Sequence, residues 1–323
     1  MDDSTQGPHT SARKTIWSVL STAFVIIFLA GCLFYAWSHR QDFSFLEAAS
    51  LHDVFVAGGL VLLSYLINSY QLGLFLARLG LALGTLELLA LTMSMMLGNL
   101  VIPMRGGSGG LAVYLKAVHN FDFASFGVIY GGTALLMGLI NAGLAFIALV
   151  YLSCVHDFRE PLLLIFSAAL FAGIAYLVFW PPPIPWRRKG ILEVLFRISN
   201  AWRLISMDKP LMRALILSTA GIVLSLFWAF WFIYRATDSH ISFLGIVVTT
   251  SLGNIANLVP FTPGSLGIFD AAVIQVPLLF RLDLARSMAA TFIFRALCFG
   301  WALLFGLPAA LYMAHRMLRV HNP

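Results

Sequence analysis

The sequence predicts an all-α polytopic membrane protein with about six full spans and two broken or re-entrant hairpins, arranged as an inverted repeat. Three observations predict it. First, the 323 residues are 60% hydrophobic and 11% charged, with a mean hydropathy of +0.90. A soluble domain carries about 25% charged residues. Second, several apolar runs reach the roughly 20 residues that cross a bilayer. Third, two interrupted stretches match each other: LGNLVIPMRGGSGG at 97–110 and SLGNIANLVPFTPGSLGIFD at 251–270. Each opens with Leu-Gly-Asn, then meets a proline and a glycine-rich break.

Residues 1–14 read as a disordered cytoplasmic N-terminus, and 15–315 as a single transmembrane domain. The first apolar run, 15–37, follows Arg13 and Lys14. It is too long for a signal h-region and no clear cleavage site follows, so it reads as an uncleaved span. Span 2 covers 54–77. The run 85–102 ends at Pro103, and a shorter run, 111–119, returns from the break. Span 3 covers 123–155 and span 4 covers 161–180. PPPIPWRRKG at 181–190 is a rigid basic turn. In 191–206, Glu193, Arg197, Asn200 and Arg203 share one face, the pattern of a helix lying in the interface. Span 5 covers 211–234, the second broken segment 241–280, and span 6 287–315, with a basic cytoplasmic tail at 316–323.

Basic residues set the expected orientation. With a cytoplasmic N-terminus and two hairpins, only Arg40, Arg159, Arg235, Arg281 and Arg286 fall outside. Arg105 and Arg295 fall within the membrane, and the other thirteen of the 20 lysines and arginines fall inside. The positive-inside rule favours that topology for a cell inner membrane. The first hairpin then enters from the cytoplasm and the second from outside. The units, about 54–155 and 211–315, therefore have opposite topology, a plan common among transporters. Spacing agrees, with 43 residues from Val54 to Leu97 and 41 from Leu211 to Leu252.

The breaks concentrate the residues with chemical potential. Pro103, Gly106 and Gly107 interrupt the first, and Pro260, Pro263, Gly264 and Gly267 the second. Proline lacks the N–H and clashes with the preceding turn. Bare backbone at membrane depth must be buried in protein or line a wet cavity. Arg105 sits among glycines, and arginine suits phosphate geometry; the alternative is an interfacial arginine at a loop tip. Arg295 lies well inside span 6, where a charge faces a cavity or a partner; it binds a head group or only pairs structurally. Asp270 either caps the returning half-helix, serves as counter-ion to Arg295, or carries a proton. Asn99 and Asn254 are candidates to tie the hairpins together. Glu87 reads as interfacial, and His156 and Asp157 as water-facing. Cys32, Cys154 and Cys298 read as packing residues, and no metal-ligand or disulfide spacing occurs. HExxH and P-loop motifs are missing from the sequence, so no cofactor, metal or ATP-driven step is expected.

At these residues the chain resembles the lysylphosphatidylglycerol synthase/flippase-type membrane domain family. VPFTPGSLGIFDAAVI looks like that family's P-x-x-P-G-G-x-G-x-x-E signature, and IPMRGGSGGLAVYL resembles its P-x-R-x-G-E-x-x-R region. An arginine within the last span, followed by a proline, also recurs (Arg295, Pro308). The likeness runs from span 1 to span 6. Asp270 stands where the family has glutamate. Ser108, Gly109, Leu111 and Ala112 stand where the first motif has a glutamate and a second arginine. The soluble aminoacyl-transferase domain of two-domain members has no counterpart in the sequence. The resemblance implies the flippase-like half, which moves a polar phospho- or glycolipid between leaflets, with a separately encoded lipid-biosynthesis enzyme as a partner and no nucleic acid. The alternative is a membrane-embedded enzyme or accessory subunit of lipid or lipid-linked glycan synthesis.

Overall fold

A computed structural model of the chain describes residues 37–38, 49–102, 105–155, 160–181, 191–258 and 267–321. The expected first span at 15–37 and the break residues Pro103, Pro260, Pro263 and Gly264 lie outside these, apart from Trp37. The described elements are helical: α1 (Leu51–Arg78), α2 (Thr85–Val101), α3 (Gly106–His119), α4 (Phe123–Val155), α5 (Pro161–Phe179), α6 (Ile191–Met207), α7 (Lys209–Ala236), α8 (Phe243–Asn257), α9 (Ile268–Gln275), α10 (Leu284–Trp301) and α11 (Leu307–His321). A 3₁₀ turn, Val276–Phe280, follows α9, and a π turn, Ala302–Gly306, joins α10 to α11. Among the described residues, five helices are long and apolar enough to cross a membrane: α1, α4, α5, α7 and the continuous Leu284–Arg319. The protein is an all-α, multi-pass membrane protein.

Short polar side chains start several of these helices. Ser50, Asp208, Ser242 and Asp283 each accept a backbone N–H from the first turn of α1, α7, α8 and α10. Such caps satisfy donors that a helix start otherwise leaves open.

The first helices of the two units run antiparallel along each other. Four cross-links fix the direction. Ser50 N donates to the Ala236 carbonyl (3.2 Å), and Arg235 Nε to Asp53 Oδ2 (2.8 Å). Gln71 Nε2 donates to Thr219 Oγ1 (2.6 Å), and Arg78 Nε to Asp208 Oδ2 (3.0 Å). The start of α1 thus meets the end of α7, and the end of α1 meets the start of α7. Each hairpin's leading arm then packs on the last helix of the other unit: α8 on α4, and α2 on the π turn and α11. Gly306 makes the second packing possible, because a Cβ there would sit 2.6 Å from the Met93 carbonyl oxygen.

The hairpin arms are short. At about 1.5 Å per residue, the 17 residues of α2 and the 15 of α8 fall short of a roughly 30 Å hydrocarbon core. They fit re-entrant arms better than full spans. The Leu-Gly-Asn motif now has a physical reason. A Cβ on Gly98 would lie 2.5 Å from the Gly107 Cα, and one on Gly253 would lie 2.7 Å from Val273 Cγ2. In both hairpins this glycine lets the leading arm touch the returning one.

The first break is narrower than its glycine run suggests. Gly106 and Gly107 form the first turn of α3, not an unwound loop. Their role is close approach, since a Cβ on Gly107 would stand 2.1 Å from the Met95 carbonyl oxygen. Glu87 bolts this hairpin to the end of the chain. Its Oε1 accepts from Tyr114 Oη (2.9 Å) and Arg316 Nη1 (2.6 Å) and pairs with His119 Nε2 (2.9 Å). Glu87 is 17% exposed, so it is an internal clamp more than a surface residue.

Candidate functional site

Between the described arms of the two hairpins lies a cavity of about 260 Å³. The middle of α1 and α7, the first half of α4 and the second half of α10 complete its wall. Arg105 and Arg295, singled out separately in the sequence, both line it.

Arg105 is the residue just before α3 and has φ 55°, a left-handed conformation. That conformation is disfavoured for a residue with a Cβ. The fold holds it there, and the guanidinium bridges the two units. Nη1 donates to Tyr130 Oη on α4 (2.8 Å), and Nη2 donates to the Asn257 carbonyl at the end of α8. Both acceptors are neutral. Among the described residues, no carboxylate pairs with Arg105. An arginine has five N–H donors, so several remain for a ligand.

Arg295 is held differently. Its Nε donates to Asp270 Oδ1 at 2.7 Å, and its Cζ lies 4.8 Å from the Phe269 ring centre. Asp270 is 3% exposed. Its other oxygen, Oδ2, accepts the Gly267 N–H at 2.9 Å and so caps α9. One carboxylate therefore performs two of the tasks foreseen for it, capping the return helix and neutralising Arg295. The cavity keeps the positive charge of Arg105.

The two asparagines are engaged otherwise than by tying the hairpins to each other. Asn99 Oδ1 accepts the Ser108 N–H (3.0 Å) and closes its own hairpin. Asn254 Nδ2 donates to Asn141 Oδ1 on α4 (3.1 Å). A carboxamide bonds the neighbour within about 3 Å, and here the neighbours are the returning arm and α4. Among the described residues, Arg105 links the hairpins through its bond to the Asn257 carbonyl. Gly267 has φ 94°, which only glycine adopts at low cost.

Sequence reasoning missed a polar stripe on α1. Ser64, Asn68 and Gln71 line the cavity, one turn apart, with Tyr65 beside them. Their spacing of four and three residues is the signal that would have found them, since positions i, i+4 and i+7 share a helix face. Tyr130, the acceptor for Arg105, carried no comparable mark.

Comparison with known proteins gives a family match over most of the chain. The model of the family described as Lysylphosphatidylglycerol synthase TM region matches residues 16–306. No curated protein matches the chain.

Proposed function

Because the chain belongs to the lysylphosphatidylglycerol synthase transmembrane family, we propose that it moves a polar lipid between leaflets, with the head group in the cavity between the hairpin tips and the tails in the bilayer. The observation that carries this reading is Arg105. A guanidinium whose partners among the described residues are neutral is costly inside a membrane protein, and intramembrane charges of that kind mark substrate paths. It is shaped for the forked geometry of phosphate. The Tyr130 hydroxyl, already accepting from Arg105, keeps its own proton to donate to the same anion. Arg295, balanced by Asp270, adds a second contact without adding net charge. The volume, about 260 Å³, lies just below the roughly 300–1,000 Å³ of ligand pockets. It suits a head group and not a whole lipid. The inverted units supply two related halves that rock about a central site.

The membrane is a cell inner membrane with both chain ends in the cytoplasm. Single cysteines replacing Arg188 and Ser239 in a cysteine-free background label from opposite sides under this topology. Labelling of both from the periplasmic side overturns it. The functional test is reconstitution into liposomes with a leaflet-selective assay of labelled phospholipids. Transbilayer movement faster than in empty liposomes, and lost in Arg105→Met, is the expected result. Covalent change of the lipid, or movement unaltered by Arg105→Met, overturns the reading.

A further inference from the structure

We infer that the first hairpin and α11 move as one gate, hinged at the π turn and latched by Arg105, and that a ligand phosphate releases the latch, an inference that rests on the lipid-carrying reading above. The two halves of the last span have different neighbours. α10 packs on α1, α7 and α9, with Phe294 and Cys298 in a cluster that holds Phe230 and Phe269. α11 packs on α2 and α3, with Met313 in a cluster that holds Leu91 and Leu115. Between the halves lies the π turn Ala302–Gly306. Pro308, second in α11, has no N–H to give to the Leu304 carbonyl. Helices bend at π turns and at prolines. The two edges of this joint are held by different partners. Trp301 Nε1 donates to the Gly58 carbonyl on α1 (2.8 Å), while Gly306 lies against the Met93 carbonyl on α2.

Side chains brace α11 and the hairpin into one body. Arg316 Nη1 donates to Glu87 Oε1 near the start of α2 (2.6 Å), and the same oxygen takes Tyr114 and His119 from α3. Ser94 Oγ on α2 donates to Met313 Sδ (2.8 Å). Under the topology proposed above, the end braced by Glu87 faces the cytoplasm. Across the cavity the body is held more lightly. α3 touches α4 over a short stretch. Arg105 spans the gap, with Nη1 on Tyr130 of α4 and Nη2 on the Asn257 carbonyl of α8. Both acceptors are neutral. A phosphate in the cavity offers the same guanidinium charge-assisted bonds, roughly twice as strong. It therefore draws Arg105 off the phenol and the carbonyl, and the gate is free to swing about the π turn. The parts that rock are exchanged between the units: the hairpin of the first travels with the last helix of the second.

The test reads distances between paired spin labels on the purified full chain, in a cysteine-free background. Lys116, Arg319 and Arg213 are exposed on α3, α11 and α7 and carry the labels. Lys116→Cys/Arg319→Cys reports within the gate, and Lys116→Cys/Arg213→Cys reports across it. At about 1.5 Å per residue, a bend of about 20° at the joint displaces the end of the 15-residue α11 by roughly 8 Å. The probes are phosphatidylglycerol, which carries a phosphate, and diacylglycerol, which has the same tails and none. Phosphatidylglycerol is expected to add a population across the gate that is longer by about that displacement, and to leave the distance within the gate unchanged. Diacylglycerol is expected to shift neither. Arg105→Met, checked for folding by its melting curve, is expected to show the longer population without lipid, and Arg105→Lys, which keeps the charge and loses the fork, to show it in part. Glu87→Gln/Arg316→Gln loosens the brace and broadens the distance within the gate. A distance within the gate that lengthens together with the one across it overturns the single body. Opening by diacylglycerol, or a closed distribution in folded Arg105→Met and Arg105→Lys, overturns the latch. These arms need no transport. A protein that moves lipid past a gate that stays shut fails this inference alone, and one whose gate responds but that moves no lipid fails only the transport reading.

Discussion

The two hairpins share a motif and a backbone device but differ in the side chain placed on that device. Each returning arm is entered through a residue with positive φ, Arg105 at 55° before α3 and Gly267 at 94° before α9. In the second hairpin the residue is glycine, which the geometry favours. The first hairpin has an arginine where the backbone would prefer glycine. Charge is handled in opposite ways too. The second hairpin brings its own carboxylate, Asp270, which caps α9 and neutralises Arg295. The first brings a cation whose acceptors are a phenol and a carbonyl. One hairpin compensates its own charge at the entry to its returning arm; the other gives up some stability to present a charge. Strained backbone of this kind gathers at functional sites.

The largest effect is expected from breaking the self-compensated hairpin. Asp270→Leu leaves Arg295 without its carboxylate and removes the cap on Gly267. Deleting one partner of a buried pair costs about 3–5 kcal/mol. Unfolding in detergent should shift by that amount, and Arg295→Met/Asp270→Leu should recover most of it. The double variant should still carry lipid, several-fold more slowly, because Arg105 remains. A double variant that is fully stable and transports nothing would move the phosphate site from Arg105 to Arg295.

The arm-to-arm contact comes next. Gly98 faces the backbone of Gly107, whereas Gly253 faces the side chains of Val273 and Phe269. Backbone cannot yield by a rotamer change; a valine can. Overpacking costs about 1–3 kcal/mol, so Gly98→Ala should fall at the upper end of that range and Gly253→Ala at the lower. Equal melting temperatures for the two variants would break the distinction between the hairpin tips.

Much of this was legible in the chain. Apolar run lengths gave the spans, because bilayer thickness sets helix length regardless of partners. Proline positions and the repeated Leu-Gly-Asn gave the hairpins. The partners were less legible. Asn99 and Asn254 sit at matching places in the motif, but a carboxamide bonds whatever stands within 3 Å, and the neighbours differ between the hairpins. Gly106 and Gly107 read as a break because glycine serves both flexible turns and close packing, and sequence alone does not separate the two uses. Asn68 and Gln71 were visible as polar residues in an apolar span. Their meaning depended on the cavity, which forms only when α1 meets both tips.

The smallest expected effect isolates the cost of placing an arginine where its partner hairpin has glycine. Arg105→Ala and Arg105→Gly lose the same hydrogen bonds to Tyr130 and Asn257, so those losses cancel in the comparison. What differs is the left-handed backbone at this position. A Cβ there costs roughly 1 kcal/mol, offset in part by the greater freedom glycine has in the unfolded chain. Arg105→Gly should therefore be more stable than Arg105→Ala by somewhat less than about 1 kcal/mol, and neither should retain phosphatidylglycerol. Arg105→Lys keeps the charge and the strain but loses the fork; it should hold the lipid weakly, between wild type and the truncations. Gly and Ala variants of equal stability would mean that the tip relaxes when the side chain is cut. The positive φ would then be imposed by the bonds of the guanidinium to Tyr130 and Asn257, and the likeness to Gly267 would be one of geometry without a shared cause.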